Sequence, residues 1–112
     1  MKLKFHSLLL LASVALYCSS ASAADVAEIW AKNCVLCHGK DGAGNTVNGK
    51  KNKVRDYRDP KVQAEFSDQK MLETITNGVY AGKKERMEAF GDQFTPEEKQ
   101  ALVAYIRKFK KS

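Results

Sequence analysis

Cys34, Val35, Leu36, Cys37 and His38 follow one another in the chain, two thiols separated by two residues and then an imidazole. On a helix, residues three apart are surface neighbours, so both sulfurs can reach two points on one edge of a flat group. The adjoining His38 can then turn its ring beneath that group and bind a metal at its centre. Cysteine, two residues, cysteine and histidine in this order are the attachment signature of a c-type haem, with Cys34 and Cys37 forming thioethers and His38 supplying one axial ligand. A redox-active cysteine pair would need a βαβ setting, and a structural zinc site would need further cysteines or histidines.

The amino terminus bears on how many such ligands exist. Lys2 and Lys4 precede an apolar stretch of 12 residues, 7–18, and the small residues Ala21, Ser22 and Ala23 follow it. This is the pattern of a secretory leader cleaved after Ala23; the stretch is short of the roughly 20 residues that a membrane span needs. A lipid-modified Cys18 is disfavoured by the bulky Tyr17 before it. Cleavage leaves residues 24–112 as one domain, with Cys34 and Cys37 as its cysteines, His38 as its histidine, and Met71 and Met87 as its methionines. It lowers the net charge from +6 to +4, because residues 1–23 hold two lysines and no acid. A domain this short has a small core, which a cofactor commonly supplements. Export to an oxidising compartment suits haem attachment.

The elements that must position these residues read as helices joined by loops. From Asp25, a candidate N-cap, Val26, Ile29, Trp30 and Val35 recur near the helical period, so a first helix delivers the cysteine pair. Residues 39–53, with four glycines, read as loop. Asp59 and Pro60 open a short helix carrying Val62 and Phe66. Ser67 caps another, with Met71, Leu72 and Ile75 on one face and Asn77–Gly78 as its stop. Residues 80–94 read as irregular. Thr95, Pro96 and Glu98 form a capping box for a last helix whose apolar face holds Leu102, Tyr105, Ile106 and Phe109. Arg107 and the lysines after it load the end of that helix favourably for its dipole.

In these features the chain resembles the monohaem class I cytochromes c, small exported electron carriers. The resemblance rests on Trp30 four residues before Cys34, the stretch from His38 to Asn45, the stop at Asn77, a methionine followed by Phe90, and the closing helix from Phe94 to Phe109. It implies an all-α cytochrome c fold of four to five short helices wrapped around one covalent haem c. The first and last helices would cross near Tyr105.

The second axial ligand follows by elimination within residues 24–112. No second histidine is present, which leaves Met71 and Met87. Met71 falls on the apolar face of a helix, where methionine usually fills core space. Met87 lies in a polar stretch, matches the position of the ligand in the family, and is the expected sulfur; packing is its competing role. Many relatives carry proline after that methionine, and here Glu88 stands there. Trp30, Tyr57, Arg58 and Phe90 are candidate haem-pocket or propionate contacts, with Arg55 beside them. Trp30, Leu36, Leu72, Ile75, Phe90, Leu102 and Ile106 are pocket or core groups. His38 is expected to donate its second ring N–H to a backbone carbonyl.

With both axial positions filled by protein, the site suits transfer of one electron on a low-spin haem rather than chemistry on a substrate. The expectation is therefore a periplasmic, monomeric electron carrier, not an enzyme, with no stable membrane insertion of residues 24–112. Lysines and arginines cluster at residues 49–55, 83–86 and 107–111. No base-stacking aromatic pattern accompanies them, so redox proteins with acidic docking patches are the expected partners rather than nucleic acid. The alternative is a haem subunit, or a ligand-binding sensor or peroxidase-like component, with a labile distal ligand.

Overall fold

The computed structural model describes residues 13–15 and 23–112; the leader assigned to residues 1–23 otherwise lies outside the described residues. Six helices and one hairpin follow in order: α1 (Ala23–Asn33), α2 (Val35–His38), α3 (Val47–Lys51), α4 (Pro60–Glu65), α5 (Asp68–Asn77), β1 (Val79–Ala81), β2 (Lys84–Met87) and α6 (Pro96–Arg107).

Side-chain caps set most of the starts. Asp59, Ser67 and Thr95 accept backbone N–H bonds at the heads of α4, α5 and α6, and Thr95 with Glu98 completes the expected capping box. Each such cap is worth about 1 kcal/mol. Asp25 departs from expectation: it sits inside the first turn of α1 rather than capping it, where its charge still favours the helix dipole.

Two stretches expected to be irregular are ordered. The glycine-rich residues 39–53 contain α3, capped by Thr46, whose hydroxyl accepts from Gly49 N. Helix α3 packs on α2 through that same threonine, which donates to the carbonyls of Leu36 and Cys37 at 2.9 Å each. Gly49 is required at this junction, because a Cβ there would run into the carbonyl oxygens of Cys37 and Gly44. Residues 80–94 begin within an antiparallel hairpin that pairs Tyr80 with Glu85 and Ala81 with Lys84, with a bulge next to Val79. Its strands are mostly exposed, so no apolar alternation marks them in the sequence.

The core is assembled from α1, α5, α6 and the segment after β2. Val26, Trp30, Met71, Ile75, Phe90, Leu102, Val103 and Ile106 form one buried cluster. Helix α1 crosses α6, and α5 packs on α6. Trp30 lies 5.5 Å from the ring of Tyr105 and 5.0 Å from that of Phe109, which locates the helix crossing near Tyr105 as expected. Helix α4 is tied to α6 through buried Gln63, whose amide donates to Tyr57 O at 2.7 Å and Ile106 O at 2.9 Å while its carbonyl accepts from Arg107.

Candidate functional site

An apolar cavity, partly open to solvent, lies between these elements. Trp30, Cys34 and His38 line it from α1 and α2; Met71, Thr74 and Ile75 from α5; Leu102 and Ile106 from α6. Phe66 and Tyr57 close one side, and Met87, Phe90 and Phe94 enter from the hairpin and the segment after it.

The motif is held on a nearly continuous helical path. Cys34 N donates to Trp30 O at 2.9 Å, and His38 N donates to Cys34 O at 2.8 Å. Both thiols are free and half-buried. Burial, the neighbouring Cys37 and then Glu88 push the Cys34 thiol up to about 12. At neutral pH it is therefore an un-ionised thiol, unlike the thiolate of a redox-active or nucleophilic cysteine. Among the described residues no group of three or more histidine, cysteine or acidic side chains could hold a bare metal ion.

Burial lowers the His38 pKa to about 4, so its imidazole is neutral at neutral pH and has a lone pair for a metal. Its ring stacks on Tyr57 with centroids 5.3 Å apart and lies 5.5 Å from Trp30. The buried Nδ1 of His38 has no hydrogen-bond partner among the described residues. Aromatic contact surrounds the ring. A neutral imidazole, a methionine sulfur and a free thiol facing one apolar cavity fit a haem: nitrogen and sulfur for iron, apolar walls for the macrocycle.

Met87 ends β2 and is half-buried. The segment after it is stitched to α5 by Phe90 N donating to Ile75 O at 2.9 Å and Gly91 N to Thr76 O at 3.1 Å. Met71 also lines the cavity but belongs to the buried core. Of the other candidates, Trp30, Tyr57 and Phe90 line the cavity and Arg58 does not. Arg58 is drawn instead to Asp56 at 2.9 Å and Asp41 at 3.5 Å, and Arg55 to Glu65 at 2.9 Å. Leu36, expected in the pocket or core, is 72% exposed, because α2 turns its cavity side to Cys34 and His38. Phe66, Thr74 and Phe94 were not anticipated. The stacked pair Phe90 and Phe94, 5.2 Å apart, was signalled only by its four-residue spacing after Met87.

Comparison with known proteins agrees with this geometry. The sequence pattern of the family described as cytochrome c oxidase, cbb3-type, subunit III matches residues 21–106. The cbb3-type cytochrome c oxidase subunit FixP of Azorhizobium caulinodans is 35% identical over 83 residues, 71% of this chain. The match covers 25% of FixP, so the chain spans about a quarter of the length of that relative. Among solved structures, the KustC0563 c-type cytochrome superposes with a TM-score of 0.67 at 36% identity, covering 76% of this chain and 96% of that one. A point variant of the same cytochrome gives the same score and identity. The fold is thus the cytochrome c fold, and the chain belongs to the cbb3-type subunit III family of c-type cytochromes, whose cofactor is a covalently bound haem c.

Proposed function

We propose that this chain carries one electron at a time on a His/Met-ligated, low-spin haem c between redox proteins of the periplasm, residues 1–23 being the leader that exports it. In this reading Cys34 and Cys37 would hold the haem as thioethers, and His38 and Met87 would ligate its iron. The observation that carries it is the convergence of His38, Met87 and Cys34 on one apolar cavity.

The iron supplies the one-electron couple; the chain's residues set its conditions. A neutral imidazole is available without prior loss of a proton. A thioether ligand favours ferrous iron and raises the potential relative to two imidazoles. Phe66, Phe90, Phe94 and Ile106 give the site an apolar wall, and two protein ligands would leave no open position for a substrate.

The ferric protein should show the methionine-to-iron charge-transfer band, and the ferrous protein should fail to bind carbon monoxide. Met87→Ala should abolish the band and admit carbon monoxide, whereas Met71→Ala should spare both properties. The reverse pattern would assign the ligand to Met71. Ready carbon monoxide binding by the unaltered protein would favour the second reading, a haem subunit or sensor with a labile distal ligand. That reading draws on Glu88 standing where relatives carry proline and on the oxidase subunit FixP as a relative.

A further inference from the structure

The sequence reads Arg107 as a charge favouring the dipole of α6, but in the structure its guanidinium turns to the corner between α4 and α5. Nε donates to Asp68 Oδ1 at 2.9 Å. One terminal nitrogen donates to the backbone and side-chain oxygens of Gln63, at 2.6 and 2.9 Å, and the other donates to Phe66 O. Helix α4 has six residues and stops at Phe66, whose backbone is extended. The carbonyls of its last turn therefore have no helical partners, and the planar fork of Arg107 supplies donors to two of them. The Asp68 side chain is 70% exposed, and so solvated an ion pair adds little stability. The hydrogen bonds to Gln63 and Phe66 hold the corner.

Gln63 completes the contact from inside. It is buried, and its amide donates to Tyr57 O at 2.7 Å and Ile106 O at 2.9 Å while its side-chain oxygen accepts from Arg107. Donor and acceptor are both used, and a buried polar network satisfied in this way fixes one arrangement of the chain. The backbone positions it grips are those of Tyr57 and Phe66, whose side chains line the cavity.

We infer that Gln63 and Arg107 are positioning residues: together they latch the wall formed by Tyr57 and Phe66 to α6 and so hold two aromatic side chains at the haem cavity. The inference rests on the haem in that cavity being the electron-carrying group, as proposed above. The apolar shell around a redox centre sets its local polarity and thereby its potential. Ferric haem carries one more positive charge than ferrous haem, so a more polar surround favours the ferric state and lowers the potential. Loosening the latch should act in that direction.

Two variants of the haem-loaded protein break the latch without changing net charge: Gln63→Leu removes the amide, and Arg107→Lys keeps the charge but loses the fork. Val103→Ala, in the core but outside the cavity lining, is the control for general loosening. The readouts are the reduction potential and amide hydrogen exchange. Both latch variants should have a lower potential than the unaltered protein and faster exchange at the N–H groups of Tyr57 and Gln63 than at that of Leu102. Val103→Ala should lower the melting temperature and leave the potential in place. An unmoved potential in both latch variants would reduce the network to a tie between helices and overturn the inference. An equal fall in Val103→Ala would assign the effect to general loosening and overturn it too. Should neither latch variant fold, exchange in the unaltered protein decides. Protection of the Tyr57 N–H equal to that of the α6 amides supports the latch, and faster exchange by local opening overturns it. Absence of the methionine-to-iron charge-transfer band in the unaltered protein would sink the His/Met reading; its presence with an unmoved potential in the latch variants would sink only the latch.

Discussion

Met71 and Met87 both line the cavity, and what separates them is the rest of their surroundings. Met71 is 7% exposed and sits in the core cluster with Ile75 and Leu102. Its removal leaves a hole among fixed neighbours, so Met71→Ala should cost about 2–5 kcal/mol of stability, measured by denaturant unfolding of the haem-loaded protein. Met87 is half-buried at a strand end, so its loss should be felt in the spectrum more than in the unfolding midpoint. Cys34 and His38 are both kept uncharged by burial at neutral pH. That is the state in which a thiol and an imidazole can share an apolar cavity at low cost.

At the scale of elements, the segment that follows Met87 is braced on α5 by Phe90 N and Gly91 N. Gly78 ends α5 with φ of 73°, a left-handed conformation that costs any residue with a Cβ. A Cβ there would also stand 2.5 Å from Met87 O and 2.9 Å from Ala89 N. Gly78→Ala should therefore push the hairpin off α5, lower stability by about 1 kcal/mol or more, and raise carbon monoxide binding by the ferrous protein. A stabilised, carbon monoxide-resistant variant would show that the hairpin does not govern Met87. The turn before Tyr57 depends on a different device. Arg58 donates from its backbone N and from its guanidinium to Asp56, and these hydrogen bonds hold the Asp56 carboxyl below its ordinary value. The folded protein thus keeps Asp56 ionised at pH values where the unfolded chain takes up a proton. The resulting stability is complete above about pH 4 and is lost as pH falls through the lowered folded value. With the Asp56 side chain 40% exposed, it amounts to less than about 1 kcal/mol. The stability advantage over Asp56→Asn should shrink on acidification below about pH 4, as acid unfolding curves of the two proteins would reveal.

Over the whole molecule, charge is distributed unevenly. Residues 42–55 contain Lys50, Lys51, Lys53 and Arg55 and no acid, and the three lysines are exposed. Leu36 and Val47, 72% and 85% exposed, stand on the packed helices α2 and α3 beside the attachment cysteines. A basic surface with exposed apolar residues favours brief, charge-steered encounters with an acidic partner. Electron exchange with a protein partner should slow as salt rises, and Lys50→Glu with Lys51→Glu should slow it more than the same reversals at Lys110 and Lys111. Salt-independent exchange in stopped-flow measurements would remove electrostatic docking from the account.

The haem motif, the caps of α4, α5 and α6 and the apolar faces of α5 and α6 were legible in the sequence because each depends on neighbours within one or two turns. The hairpin and α3 were not, since an exposed strand and a five-residue helix leave no apolar period. Elimination by residue type could point to Met87, but only the packed chain decided that both methionines would reach the cavity, that Arg58 would reach Asp41, and that Leu36 would face solvent. Partners distant in the chain settle such choices. Tyr57 stacks on His38, 19 positions away, from a backbone held by Gly42 and Gln63.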